Sequence, residues 1–187
     1  MASEWAEGEP RWRVAASALE QAIEPLADRL VVGAIMFPTT SDADRVCTPV
    51  DGIEAQLPYR GGRDFLAAWS ALWERAEVFG ATPIDAAFDA ADAALPRDSA
   101  VSIVLLLTDG EPTCSGPVPA RERAAEWHAD GIDTFVVGLP GAHGSAWLDE
   151  VAIAGGTGAA LDVGDPEALT ERLRSVLDGA LEQACAP

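Results

Sequence analysis

Ile103-Val104-Leu105-Leu106-Leu107-Thr108-Asp109-Gly110-Glu111-Pro112 is the stretch that decides how this chain folds. Five apolar residues in a row, closed by Thr-Asp-Gly, predict a strand buried on both faces that delivers a carboxylate to its carboxyl end. In open parallel α/β sheets ligands bind at that end. What the rest of the chain can place around Asp109 therefore decides its chemistry.

Immediately upstream, Thr82-Pro83-Ile84-Asp85 opens a helix whose apolar stripe is Ile84, Ala87, Phe88, Ala91 and Leu95. Thr82 reads as its N-cap, with Pro83 at the first helical position and Asp85 at the third. Phe65, Trp69, Leu72 and Trp73 mark another amphipathic helix, and Ile53 to Leu57 alternates like an edge strand ending at Pro58. Leu30 to Phe37 is a continuous apolar strand closed by Pro38. Before it, Trp12, Ala15, Leu19, Ile23 and Leu26 form a helical stripe that Pro25 should end or kink. Residues 1–10 are polar and expected to be loose.

Downstream, a helix over about 120–129 stops at Gly131, and Ile132 to Leu139 is a second buried strand. A short helix around Trp147, Leu148 and Val151 precedes Gly155-Gly156-Thr157-Gly158 and a short strand at Ala159 to Val163. Asp165 caps the last helix, whose core face is Leu169, Leu173, Val176, Leu177 and Leu181. Strands alternating with helices predict one domain over residues 1–187, a doubly wound, mostly parallel α/β sheet with helices on both faces. The chain enters with a helix, whereas such a sheet normally starts with its central strand.

Composition narrows the function. The 187 residues suffice to bury roughly 70% of the surface that the unfolded chain exposes. Acidic residues outnumber basic ones 31 to 12, for a net charge of −19, which opposes binding to nucleic acid or anionic lipid and favours cations or basic protein surfaces. All the basic residues are arginine, so a Walker lysine and lysine catalysis are excluded. No 18-residue apolar run is present, and Met1 to Trp5 has neither a basic nor an apolar region, so the sequence as given is expected to carry no export signal. Cys47, Cys114 and Cys185 are too scattered for a zinc site and leave open either one disulfide with an odd thiol or three free thiols. No G-x-S-x-G, strand-borne G-x-G-x-x-G or D-x-D-x-T motif appears.

Thr82 and Asp109 both fall in loops at the carboxyl ends of strands, and a hydroxyl with a carboxylate is hard-oxygen chemistry suited to Mg²⁺ or Mn²⁺. Two such ligands alone bind weakly. His143 lies in a loop on the same face and reads as solvated, while His128 suits a helix C-terminus.

The chain resembles a von Willebrand factor A domain, of the bacterial extracytoplasmic kind with a cysteine, here Cys114, after Thr-Asp-Gly-x-Pro. The likeness is carried by Arg11-Trp12, Val32 to Pro38, Gly80-Ala81-Thr82-Pro83, Leu105 to Pro112, Thr134 to Leu139 and Ala154 to Thr157. It implies a metal-ion-dependent adhesion site in which Thr82 and Asp109 are ligands of Mg²⁺, Mn²⁺ or Ca²⁺, and a partner protein offers a carboxylate to the ion. It implies a non-enzymatic module in the periplasm, at the cell surface or secreted. The family's D-x-S-x-S ligands are absent. That motif often runs on as Ser-Gly-Ser-Met, so the resemblance implies that Met1 is an internal methionine and that the first strand precedes it. The chain as given should then show a gap between the strands at 30–37 and 101–107, and an incomplete metal site. Two alternatives stand beside this reading: a metal-independent interaction or structural domain of the same fold, and an α/β hydrolase or phosphatase using Asp109.

Overall fold

The computed structural model describes residues 4–5, 8–38, 46–47, 56–74, 81–97, 101–115, 118–142 and 144–185. Helix α1 (Arg11–Ile23) ends where Pro25 enters a 3-10 turn, Glu24–Leu26, because proline offers no amide to continue the ladder. Strand β1 (Val31–Ile35) follows and pairs antiparallel with β2 (Gln56–Gly61). The expected end of β2 at Pro58 does not hold. The strand runs through Pro58 to Gly61, which a proline permits at a sheet edge. Residues 53–55, expected to begin it, lie outside the described residues.

Helices α2 (Gly62–Trp73) and α3 (Ile84–Ala94) lead to β3 (Ser102–Thr108). Then come α4 (Val118–Ala129), β4 (Ile132–Gly138), α5 (Ala146–Ala154), the two-residue β5 (Leu161–Asp162) and α6 (Pro166–Ala184). Gly131 turns the chain from α4 into β4 at φ 81°, a conformation costly for any other residue. Asp165 caps α6, accepting from the Ala168 amide at 2.8 Å. Thr82 does not cap α3. That helix begins at Ile84 with Pro83 in the cap position and no side-chain cap bond.

Strands β3, β4 and β5 form a parallel sheet in that order, with Ser102 to Thr108 in register against Ile132 to Gly138. Side chains alternate across β3. Leu106 and Val104 meet Ile84, Phe88, Trp127, Trp147, Leu148 and Val151 of α3, α4 and α5. Ile103, Leu105 and Leu107 face the opposite core, built on Ala15, Ile23, Phe65, Trp69, Leu169 and Leu173 of α1, α2 and α6. The fold is thus α/β and Rossmann-like, with helices on both faces. Leu169 and Leu173 are fully buried, and each contributes about 1.5–3 kcal/mol relative to exposure.

The expected gap is present: no ladder joins β1 to β3, and the described strands form two sheets rather than one. Both sheets nevertheless share a helical layer, since Val32, Ala34 and Met36 pack on the same α1/α2/α6 core as β3. The two strands also point the same way. Helix α1 starts beside Asp109 at the carboxyl end of β3 and β1 returns after it, and Cys47, beyond β1, is disulfide-bonded to Cys114, beyond β3. Among the described residues no strand pairs with the facing edge of either, so a seam runs between them, bridged beyond their carboxyl ends by that bond.

Within residues 1–10, expected to be loose, the described residues 4–5 and 8–10 are held by specific bonds. The Trp5 amide donates to the Glu9 carbonyl at 2.8 Å, and Glu4 bridges Pro10. The Trp5 indole donates to the Gly164 carbonyl at 3.1 Å, which gives a role to the one tryptophan outside any helix stripe. Trp69 and Trp147 are buried core anchors as their spacing predicts, and Trp127 of α4 is a third.

Candidate functional site

Strand β3 brings Asp109 to the carboxyl edge, and a local turn sets its direction. The buried Thr108 hydroxyl donates to the Gly110 carbonyl at 2.9 Å and accepts from the Gly110 amide at 3.3 Å, fixing the backbone around Asp109. One residue earlier in space, the Thr108 carbonyl accepts from the Leu139 amide at 2.8 Å, so the loop after β4 is drawn against the same edge.

Arg11, the first residue of α1, meets Asp109 there. Its Nη1 lies 3.0 Å from Asp109 Oδ2, with the side chains only 20% and 12% exposed. At this burial the pair is less screened than a surface ion pair, and each partner offsets the other's desolvation. The Arg11 Nε is buried without an acceptor among the described residues. Gly141 makes room for the guanidinium: a Cβ there would fall 2.5 Å from Arg11 Nη1 and 3.0 Å from the Asp109 carbonyl oxygen, and its φ of 112° already favours glycine.

Thr82 lies on the same edge through the loop that follows Asp109. The Thr82 amide donates to the Thr113 hydroxyl at 2.8 Å, and its carbonyl accepts from the Thr113 amide at 3.2 Å. Thr82 is thus held by its backbone, and its hydroxyl is not consumed as a helix cap. Next to Thr113, Cys114 is bonded to Cys47 at 2.04 Å, which resolves the open cysteine question in favour of one disulfide, with Cys185 free and exposed.

Further ties cross the edge. The Ser145 hydroxyl before α5 donates to Glu111 Oε1 at 2.8 Å, and the Gly144 amide donates to Asp162 Oδ2 at 3.2 Å. Loops following β1, β3, β4 and β5 are therefore fastened to one another or to the chain entering α1. His143 lies outside the described residues. His128, in the last turn of α4, pairs with Asp133 at 2.8 Å, away from Asp109.

This geometry tests the donor set for a divalent ion. Thr82 and Asp109 are hard-oxygen donors of the right type, but no group of three His, Cys, Asp or Glu side chains placed to hold a metal exists among the described residues. The Asp109 carboxylate already faces a guanidinium. The described residues do not, as they stand, fit a divalent ion. Sequence reasoning paired Thr82 with Asp109 but missed Arg11, Thr113 and Gly141. Only the absence of lysine hinted at Arg11, since any buried positive charge in this chain has to come from arginine or histidine.

No protein-family profile and no curated protein matches the chain. Solved structures do. An aerotolerance-related membrane protein from Bacteroides fragilis, carrying multiple mutations to serine, superposes with a TM-score of 0.65 at 19% identity, over 93% of this chain and 89% of that one. Proximal thread matrix protein 1 from mussel byssus superposes with TM-scores of 0.55 and 0.54 in two crystal forms, at 14% and 17% identity. The match covers 90% and 92% of this chain but only 42% and 43% of the byssus protein. These likenesses show a von Willebrand factor A-like fold and, at such identities, the fold alone.

Proposed function

We propose that this chain is a non-catalytic protein-interaction module whose recognition surface is the carboxyl edge around Asp109. The observation that carries the reading is the cross-tying of that edge. Loops from distant parts of the chain are held by the Cys47–Cys114 bond, the Thr82–Thr113 backbone pair, the Arg11–Asp109 ion pair and the Ser145–Glu111 bond. Loops ordered in advance lose less entropy on binding a partner, which is the physical requirement for a recognition surface built from loops.

The disulfide supports a setting outside the cytoplasm, because such bonds persist in oxidising compartments. Among the described residues no helix is long and apolar enough to cross a membrane. The metal-dependent form of the reading makes Thr82 and Asp109 ligands of a Mg²⁺-type ion, with a partner carboxylate as a further ligand. It requires oxygen donors beyond these two.

Immobilised protein exposed to an envelope extract of its own organism, with Mg²⁺ or with EDTA, tests the proposal. Specific retention of a partner that is lost in folded Asp109→Ala and Thr82→Ala variants is expected. Retention indifferent to both substitutions would overturn the placement of the surface. Turnover of a generic phosphate or carboxylic ester that disappears in Asp109→Ala would replace the module by a hydrolase.

A further inference from the structure

We propose that the Cys47–Cys114 bond is a redox-controlled tie on the recognition edge, opened by a dithiol reductant that reaches it at Cys47 and remade by oxidation. The proposal rests on the reading of that edge as the recognition surface and names what regulates it.

Three observations carry it. The first is position. The bond joins a residue beyond β1 to one beyond β3, and among the described residues no ladder pairs those two strands. Helix packing holds the two sheets along their length, and at the carboxyl end the disulfide fixes one loop against the other. The second is access. Cys47 is exposed, while Cys114 is half-buried. A disulfide is broken by a thiolate attacking one of its sulfurs, so a bond open to solvent can be reached without unfolding the chain, and exposed disulfides are the labile ones. The third is coupling. Thr113, the neighbour of Cys114, clamps Thr82: its hydroxyl accepts from the Thr82 amide at 2.8 Å, and its amide donates to the Thr82 carbonyl at 3.2 Å. The same hydroxyl lies 4.0 Å from Cys114 Sγ. A disulfide sulfur carries no proton, so in the bonded form the hydroxyl is the donor to sulfur and the acceptor from Thr82. Reduction frees the Cys114 backbone from Cys47 and gives the sulfur a proton of its own, so the clamp loses its anchor and its hydroxyl gains a competing donor.

The chemistry is a thiol–disulfide exchange. One thiolate of the reductant attacks Cys47 Sγ, the bond to Cys114 breaks, and Cys114 leaves as a thiolate that takes up a proton. The second thiolate of the reductant attacks the reductant's own sulfur in the mixed disulfide, and Cys47 leaves in the same way. Two electrons and two protons pass to the protein, and the reductant is left as its disulfide. In an oxidising compartment the tied form is the resting one. A protein dithiol with an exposed thiolate is the class of partner that unties it. Once untied, the loops carrying Thr82 and Thr113 lose the order that lowers the entropic cost of binding.

Dithiothreitol added to the folded full chain without denaturant tests the proposal, in the Cys185→Ser background so that the exposed third thiol cannot exchange. Alkylation followed by intact mass is expected to show both thiols freed. Amide hydrogen exchange is expected to quicken about tenfold or more at Thr82 and Thr113, with the β3–β4 ladder amides unchanged, and oxidised glutathione is expected to restore the original rates. The Cys47→Ser, Cys114→Ser double variant should exchange like the reduced chain and ignore dithiothreitol. A bond that resists dithiothreitol until the chain is unfolded overturns the proposal. So do rates at Thr82 and Thr113 that stay unchanged on reduction, or an acceleration spread evenly through β4. The readout needs no binding partner: a chain that binds nothing at this edge leaves the exchange result standing, and a bond that does not open leaves the interaction module standing.

Discussion

The two sheets lie under a common layer of helices yet differ in kind. In the β3–β4–β5 sheet the ladder between β3 and β4 is parallel and seven residues long, and Val136 and Val137 are almost wholly enclosed. The β1–β2 pair is antiparallel, shifts register between Val32 and Ala34, and leaves Val31 68% and Tyr59 39% exposed. One sheet is enclosed on both faces by α1, α2 and α6 on one side and α3, α4 and α5 on the other; among the described residues the other is covered well on one side only. Stability should therefore concentrate in the half that carries Asp109, while the β1–β2 half is joined to it by helix packing and by the Cys47–Cys114 bond across the seam. A rigid platform bearing the recognition edge, beside a looser flap, is the physical content of that difference.

The largest contrast should come from core truncations. Trp127→Ala removes a buried ring packed at a tilt against Phe88, with ring centroids 4.9 Å apart, together with its bond to Asp92, and should cost about 3–5 kcal/mol in urea unfolding. Tyr59→Ala in β2 should cost under about 1 kcal/mol, in line with other surface substitutions. Comparable losses at the two positions would erase the distinction between the sheets.

Cutting the tie between the halves should rank next. Cys114→Ser frees a loop closed over a sequence separation of 67, and should cost about 2–4 kcal/mol and loosen the Thr82–Thr113 clamp beside it. Cys185→Ser, altering an exposed free thiol, should leave the denaturation midpoint unchanged.

The smallest effect concerns charge. Asp92 is held below the usual carboxylate range by the Trp127 indole bond first, then by Arg123 and Arg97, opposed by burial. A carboxyl group with a depressed folded value contributes stability that is complete above its unfolded value of about 3.9 and is lost as pH falls through the folded one. Asp92→Asn should therefore lose less stability than the unaltered chain between about pH 4 and pH 2. Asp28, in the β1–β2 half, is also lowered, chiefly by the hydrogen bond from Arg63, but both partners are about 70% exposed. Asp28→Asn should leave the acid unfolding curve where it was. Matching shifts in the two variants would show that the halves do not differ electrostatically.

Much of this architecture was legible in the sequence because it rests on local periodicity. The run from Ile103 to Leu107, the stop at Pro25, the turn at Gly131 and the Asp165 cap each follow from a few neighbouring residues, and each is present. The expected break between the strands at 30–37 and 101–107 is present too. The errors arose where distant chain segments overrule local preference. Thr82-Pro83-Ile84-Asp85 has the local form of a capped helix start, but the Thr82 backbone is drawn to Thr113, and the helix starts without a side-chain cap. Pro58 signals a strand end, yet pairing with β1 carries the strand past it. At the candidate site, Thr82 and Asp109 were identifiable as residue types in a pattern. The position of Arg11 depends on how α1 folds back over β3, which no local spacing encodes.

Residue-resolved amide hydrogen exchange along β3 tests the open seam most directly. In a parallel strand successive amides point to opposite neighbours. The account predicts alternation: amides directed to β4 are strongly protected, and those directed toward β1 exchange orders of magnitude faster. Uniform strong protection from Ser102 to Thr108 would mean that the β1-facing edge is paired, and would contradict the division of this fold into two sheets.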